Sequence, residues 1–261
     1  MGEKDKYVNL NVCLTRPEFF ITIEDFIERV ASDYDDKILG YSERTLENAM
    51  EFYGCCKMYE IKPLIGIHRY YSSDGNNKIF SEMRMLYLYA MNSAGYNNLI
   101  RLENQIGEEG IFNYSAVKDN AEGVLCLYRL NKNHSETEER IFSEVKSVFK
   151  DNLYVYCGLP EWADDAREFA STHGTKAVVF DVVMYVDNSD YKKYLEIRRG
   201  ILNAFPGKLT KTQLRVIHND YGLKNYWKMI KKYPNAVDLI ENTVEIADRC
   251  NFELEVDDIF G

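Results

Sequence analysis

Short apolar segments alternate with amphipathic helical patterns along most of the chain, and this alternation limits the fold more than any other feature. Strand-like runs occupy residues 8–12, 64–70, 83–90, 124–128, 153–157 and 177–185. Between them, apolar residues recur at helical spacing, as in the set Ile23, Phe26, Ile27 and Val30, with Thr22 placed to cap that helix. Such alternation is typical of an α/β protein with a largely parallel sheet.

The pattern favours a closed or nearly closed α/β barrel over residues 7–187, followed by a helical C-terminal segment over residues 188–261. We expect the two parts to form one domain spanning residues 1–261. An open doubly wound sheet is the alternative. It is disfavoured because no glycine-rich phosphate loop follows any of the strand-like runs.

The composition is that of a globular protein, with 46% apolar and 28% charged residues. No apolar run reaches the roughly 18 residues of a membrane span, and the N-terminus lacks a signal-peptide pattern, so we expect a cytoplasmic protein. The six cysteines are scattered, which predicts reduced and mostly buried thiols. A net charge of −10 disfavours direct binding to nucleic acid.

One lysine-rich stretch runs against the acidic character of the chain. Its lysines lie beside Tyr226, Trp227 and Tyr233, and they are Lys224, Lys228, Lys231 and Lys232. The pattern favours a solvated helix face with an aromatic stripe turned inward. A local contact with a phosphate group or a partner protein is the alternative.

The N-terminal strand carries two asparagines where a metal-binding strand would carry histidines. Asn9 and Asn11 occupy positions i and i+2, so their side chains point to the same side of an ideal strand. Cys13 continues the same spacing. Since an asparagine carbonyl is a weak ligand for transition metals, the strand is either an altered metal site or an ordinary strand.

Three stretches of the chain resemble one protein family. They are residues 51–66 (EFYGCCKMYEIKPLIG), 92–102 (NSAGYNNLIRL) and 233–251 (YPNAVDLIENTVEIADRCN). They resemble PHP domains, and among these the N-terminal domain of bacterial DNA polymerase III alpha subunits. The three stretches occur in the family's order, and the resemblance covers the chain from about residue 7 to residue 255.

The resemblance implies a distorted (β/α)7-type barrel with a metal cluster at the carboxyl ends of its strands. The positions that correspond to the family's metal ligands are Asn9, Asn11, Ser42, Glu43, His68, Met85, Val182 and Met184, with a further one near Leu130. None of them keeps the family's residue type. Together with Cys13, they predict a vestigial metal-site pocket in a barrel that folds without a metal cofactor.

The resemblance implies a non-catalytic module in DNA replication, which docks a proofreading exonuclease or supports a polymerase core. The alternative is a divergent metal-dependent phosphoesterase, a phosphatase or exonuclease, that uses Glu43 and His68 with one weakly held zinc or manganese ion. A receptor for a small ligand at Asn9, Asn11 and His68 is a third possibility. The family's polymerase palm follows this region, so the chain is either part of a longer DNA-directed DNA polymerase or free-standing.

Overall fold

A computed structural model describes residues 6–14, 21–34, 37–75, 82–107, 110–131, 135–203 and 220–254. Its strands are β1 (Asn9–Val12), β2 (Ile38–Glu43), β3 (Lys62–Tyr71), β4 (Arg84–Ala90), β5 (Val124–Arg129), β6 (Leu153–Cys157), β7 (Lys176–Val179) and β8 (Val182–Val183). The helices are α1 (Ile23–Asp33), α2 (Ala49–Met58), α3 (Ser93–Ile106), α4 (Tyr114–Asp119), α5 (Glu136–Phe149), α6 (Ala163–Thr172), α7 (Asn188–Asn203), α8 (Tyr226–Lys232) and α9 (Val237–Arg249). No helix in these ranges is long and apolar enough to cross a membrane.

The strands form one sheet in the order β7-β6-β5-β4-β3-β2-β1-β8. Although β7 and β8 lie at opposite edges, only two residues separate them, which limits their separation to about 11 Å. In a flat sheet of eight strands the edges would lie about 34 Å apart. The sheet must therefore curl into a nearly closed barrel, which confirms the predicted fold class.

Two details of the predicted strand pattern are wrong. Strand β4 pairs antiparallel with both β3 and β5, so strict alternation of parallel strands and helices fails there. The apolar run 177–185 is not one strand, because it divides at Phe180 and Asp181 to supply β7 to one edge and β8 to the other. The N-cap of α3 is Asn92, whose side chain accepts a hydrogen bond from the Gly95 amide.

The two faces of the sheet bury different sets of side chains. Helices α1 to α6 cover the outer face, and the predicted apolar positions of α1 are buried there. The Thr22 side chain accepts a hydrogen bond from the Asp25 amide, which confirms the predicted helix cap. The inner face is lined by residues that include Leu10, Leu64 and Leu127. All six cysteines are free and buried, as predicted.

Helix α9 closes the amino-terminal end of the barrel. Its residues Ile246, Ala247 and Cys250 pack into the inner-face cluster. The Lys62 ammonium, at the start of β3, donates to the Ala247 carbonyl oxygen over 2.7 Å. Helix α9 is therefore part of the barrel's core, while the opposite end of the strands carries the positions predicted from the family resemblance.

Candidate functional site

Four aromatic rings fill the inner face of the barrel toward the carboxyl ends of the parallel strands. The Tyr87 ring lies 4.7 Å from that of His68, 4.4 Å from that of Phe180 and 5.4 Å from that of Tyr156, measured between centroids. The rings of Tyr156 and Phe180 are 4.8 Å apart. We call His68, Tyr87, Tyr156 and Phe180 the ring cluster. Only His68 emerges from sequence reasoning, although the period-two spacing of Tyr87 with Tyr89 signals an inward-facing stripe.

His68 is buried and held in one orientation. Its Nδ1 lies 3.0 Å from the carbonyl oxygen of Ser42. Because a carbonyl only accepts hydrogen bonds, Nδ1 carries the proton, and in the neutral ring Nε2 is the acceptor. Burial raises the pKa of the neighbouring Tyr156 phenol well above its ordinary value, so that hydroxyl stays neutral at physiological pH. The cluster is thus uncharged when His68 is neutral.

Glu43 and His68 do not share a face of the sheet. Glu43 pairs with Ile67, whose side chain belongs to the outer core, whereas His68 stacks on Tyr87 of the inner face. Paired residues on neighbouring strands point the same way and successive residues alternate. The Glu43 carboxylate instead accepts a 2.7 Å hydrogen bond from the Leu14 amide just after β1. The phosphoesterase alternative assumed that these two side chains serve one ion, and in this structure they are not directed at one common space.

The two asparagines of β1 have different surroundings. The Asn9 side-chain amide donates to the Lys224 carbonyl oxygen over 2.9 Å, and the Tyr7 hydroxyl donates to Asn9 Oδ1 over 3.3 Å. Asn11 lies opposite Val182 of β8 and is 2% exposed. Its Oδ1 has no hydrogen-bond partner among the described residues. A register irregularity between Asn9 and Val12 explains why the regular i, i+2 geometry is not kept.

Ser42 is fully buried on β2, where its carbonyl oxygen contacts His68, and the other positions of the vestigial pocket are packing residues. Cys13 and Met184 are buried together in a small cluster with Tyr194 of α7, and Val182 packs against its edge. Met85 is half-buried against the inner-face core. Leu130 is buried in the outer core. These five apolar positions are therefore divided among three hydrophobic clusters.

These residues do not fit the metal cluster that the family resemblance implies. Within the described ranges, no group of three or more His, Cys, Asp and Glu side chains is arranged to hold a metal ion. A two-metal site needs several imidazole or carboxylate ligands directed at one space. Here Glu43 and His68 lie on different faces, and the space beside His68 holds the other members of the ring cluster.

The predicted basic contact patch is wrong for Lys224. This lysine is 4% exposed, and its ammonium donates to the carbonyl oxygens of Asp220 and Gly222, each over 2.8 Å. The carboxylate of Asp181 lies 3.1 Å away and also accepts from Lys232 over 2.9 Å. Lys224 lies before the first residue of α8, so the prediction that it belongs to an exposed helix face is not met. Its ammonium instead holds residues 220 and 222 next to Asp181.

The aromatic residues around α8 do not form one inward stripe. Tyr233 is buried, as predicted, but Trp227 is 58% exposed. Lys228 and Lys231 are exposed beside Trp227, and the Lys228 ammonium lies 5.2 Å from the Tyr34 ring centroid. Lys228 and Lys231, on the exposed side of α8, are therefore the members of the predicted patch that are available for contact.

Comparison with known proteins identifies one family, in agreement with the barrel fold. The PHP domain model matches residues 20–172. The DNA polymerase III subunit alpha of Helicobacter pylori is 25% identical over 244 residues, which cover 80% of this chain and 20% of that protein. The same subunit of Treponema pallidum is 26% identical over 256 residues, covering 87% of this chain and 22% of that protein. The chain thus spans about a fifth of the length of these relatives. Because the family model covers more than half of its residues, the chain belongs to the PHP domain family.

Proposed function

We propose that this chain is a non-catalytic PHP domain that serves as a structural or protein-interaction module in DNA replication. The ring cluster is the observation that carries the proposal. The Tyr87 ring packs against His68, and the rings of Phe180 and Tyr156 pack against Tyr87, on the barrel face where the family resemblance expects metal ligands. A buried aromatic cluster stabilises the fold directly, so the inner end of the barrel has a packing role.

The replication role rests on the relatives that the chain matches. They are named DNA polymerase III subunit alpha, and the matched part is about a fifth of each. We propose a proofreading exonuclease or a polymerase core as the partner. The exposed Trp227, flanked by Lys228 and Lys231, is the surface we assign to that contact, because exposed tryptophans beside cationic side chains are frequent anchors of interfaces.

The absence of a metal role is tested on the purified protein. The chain is prepared without chelator, its zinc, manganese and iron contents are measured, and its melting temperature is followed with EDTA and then with excess Zn²⁺ or Mn²⁺. We expect substoichiometric metal and an unchanged melting temperature. A ligand at 100 times its Kd would stabilise the fold by about 2.7 kcal/mol, so a stoichiometric metal with a rise of several degrees would refute the proposal.

The partner is tested by binding. The proofreading exonuclease and the polymerase core from the same organism are each titrated against the chain, and Trp227→Ala is compared with Met58→Ala. Met58 is 64% exposed on α2 and serves as the matched apolar control. We expect Trp227→Ala to weaken binding at least about tenfold, as for an interface anchor. Binding of neither protein, or equal effects of the two variants, would contradict this surface.

A second candidate function is a phosphoesterase with one weakly held zinc or manganese ion. The orientation of His68 favours it, because a protonated Nδ1 bonded to a carbonyl oxygen is the usual arrangement of a metal-ligating histidine. The buried Asn11 Oδ1 offers a further oxygen. Metal-dependent hydrolysis of bis(p-nitrophenyl) phosphate that is abolished in His68→Ala would establish this function. Equal rates in both proteins would exclude it.

A further inference from the structure

A cleft of about 290 Å³ lies at the amino-terminal ends of β6 and β7, at the opposite end of the barrel from His68. Its walls come from the last turns of α5 and α9 and from the turn that precedes β7. They include Lys146, Tyr154, Lys176, Glu245 and Arg249. The volume is near the lower limit for a small-molecule site in proteins.

Two cations of this cleft are fixed by neutral groups. The Lys146 ammonium donates to the Gly174 carbonyl oxygen over 3.0 Å. The Arg249 guanidinium donates to the Asp151 carbonyl oxygen and to the Tyr154 hydroxyl, each over 2.8 Å. It also contacts Asn152 and lies over the Tyr154 ring. Neutral acceptors orient these side chains without cancelling their charge. Glu245 is near enough for the Arg249 charge to help lower the pKa of its carboxyl.

The carboxylates of the cleft do not cancel its cations. Glu245 pairs with Lys176, and its carboxylate also accepts from the Tyr154 hydroxyl over 2.8 Å. Asp151 is exposed and contributes its backbone carbonyl to Arg249. Three cationic and two anionic side chains line the cleft, so it carries an excess of one positive charge in a chain whose net charge is −10. Such a local reversal of charge attracts anions.

We propose that this cleft binds the phosphate group of a small phosphorylated molecule between Lys146 and Arg249. The guanidinium supplies a planar fork that suits phosphate oxygens, and the ammonium supplies a point charge beside it. The limited volume favours a free phosphorylated molecule over a continuous nucleic-acid backbone. The proposed site is independent of the ring cluster and of the proposed interaction role, because none of its residues belongs to either.

The test uses pyrophosphate as the probe. Isothermal titration of the full chain with pyrophosphate is compared with sodium chloride at matched ionic strength, and then repeated with Lys146→Gln, Arg249→Gln and Lys118→Gln. Lys118 is on α4 and serves as the control for loss of one positive charge. We expect saturable binding that weakens about tenfold in each cleft variant, the effect of removing one charge-assisted hydrogen bond, and is unchanged in Lys118→Gln.

Several results would overturn the site. They are no binding above the chloride control, equal weakening in Lys118→Gln, or binding that survives both cleft variants. Tighter binding of a single-stranded oligonucleotide at equal phosphate concentration would assign the cleft to nucleic acid instead. Because Arg249 also anchors residues 151 and 152, Lys146→Gln is the decisive variant, and its melting temperature confirms that its fold is intact.

Discussion

Replacing Tyr87 with alanine should remove the centre of the ring cluster and destabilise the fold by about 3–5 kcal/mol. Tyr87 is buried, and its ring is 4.4 Å from Phe180, 4.7 Å from His68 and 5.4 Å from Tyr156. That range is typical for truncating a large buried aromatic side chain. Each aromatic pair adds about 0.5–1.5 kcal/mol beyond the buried area, so three lost pairs favour its upper half.

Urea unfolding followed by circular dichroism measures this loss, and Tyr87→Phe is the matched control. The phenylalanine keeps the ring and all three ring contacts, so only the hydroxyl is lost and about 1 kcal/mol or less should be lost with it. Both variants are measured with EDTA and with Mn²⁺. Since we expect packing alone to hold the cluster, the free energies of unfolding should not depend on the metal.

Two outcomes would refute this reasoning. If Tyr87→Ala costs less than about 1 kcal/mol, the rings are not a well-packed core, because a cavity of that size cannot be neutral in close-packed surroundings. If the wild-type protein gains stability in Mn²⁺ and Tyr87→Ala does not, the ring supports a metal site. The second result would favour the phosphoesterase function over the non-catalytic one.

Further predictions concern two ion pairs. Arg84→Met should destabilise the fold by about 3–5 kcal/mol in urea unfolding. The Glu138 carboxylate, which lies 2.7 Å from the guanidinium, would stay buried without its counter-ion. The double variant with Glu138→Leu should recover much of that loss. Hydrogen bonds from Arg167 lower the pKa of the Asp238 carboxyl. A lowered folded-state pKa stabilises the fold above the ordinary pKa of about 3.9, and this contribution is lost as pH falls through the lowered value. Asp238→Asn should therefore lower the free energy of unfolding by up to about 1 kcal/mol at pH 7, a small effect because the pair is partly exposed. In strong acid the variant and the wild type should be equally stable. A difference in stability that persists below pH 2 would contradict this prediction.

The barrel class and the local parts of the fold could be predicted from the sequence, whereas the division of its last apolar run and the direction of β4 could not. The apolar spacing and the Thr22 cap of α1 depend on neighbours within two turns, and both are as predicted. The division of run 177–185 depends on where the far edge of the sheet lies after it curls. Likewise, the antiparallel direction of β4 follows from pairing with β3 and β5, and nothing within the strand itself specifies that direction.

The positions that correspond to family ligands could be identified from the sequence, but the other three members of the ring cluster and the geometry of the site could not. The resemblance predicted which positions correspond to the family's ligands, and the structure shows that Glu43 and His68 point to different faces of the sheet. Glu43 lies opposite Ile67, so His68 is one residue further along β3 and points to the other face of the sheet. That register is set by the pairing of β2 with β3 and cannot be read from either strand alone. The burial of Lys224 depends in the same way on Asp181, which is distant in sequence and close in space.

A barrel that holds metal ions at its strand ends must keep polar ligands around a space that the ions fill. Without such ligands, that space has to be filled by side chains, because an empty cavity would destabilise the fold. We propose that Tyr87, Tyr156 and Phe180 supply that volume here, with Tyr87 in contact with His68. Substitutions at these positions are then constrained by size and shape rather than by charge. Contact with other molecules is left to outer features, and the exposed Trp227 and the cleft at Arg249 are where we expect it.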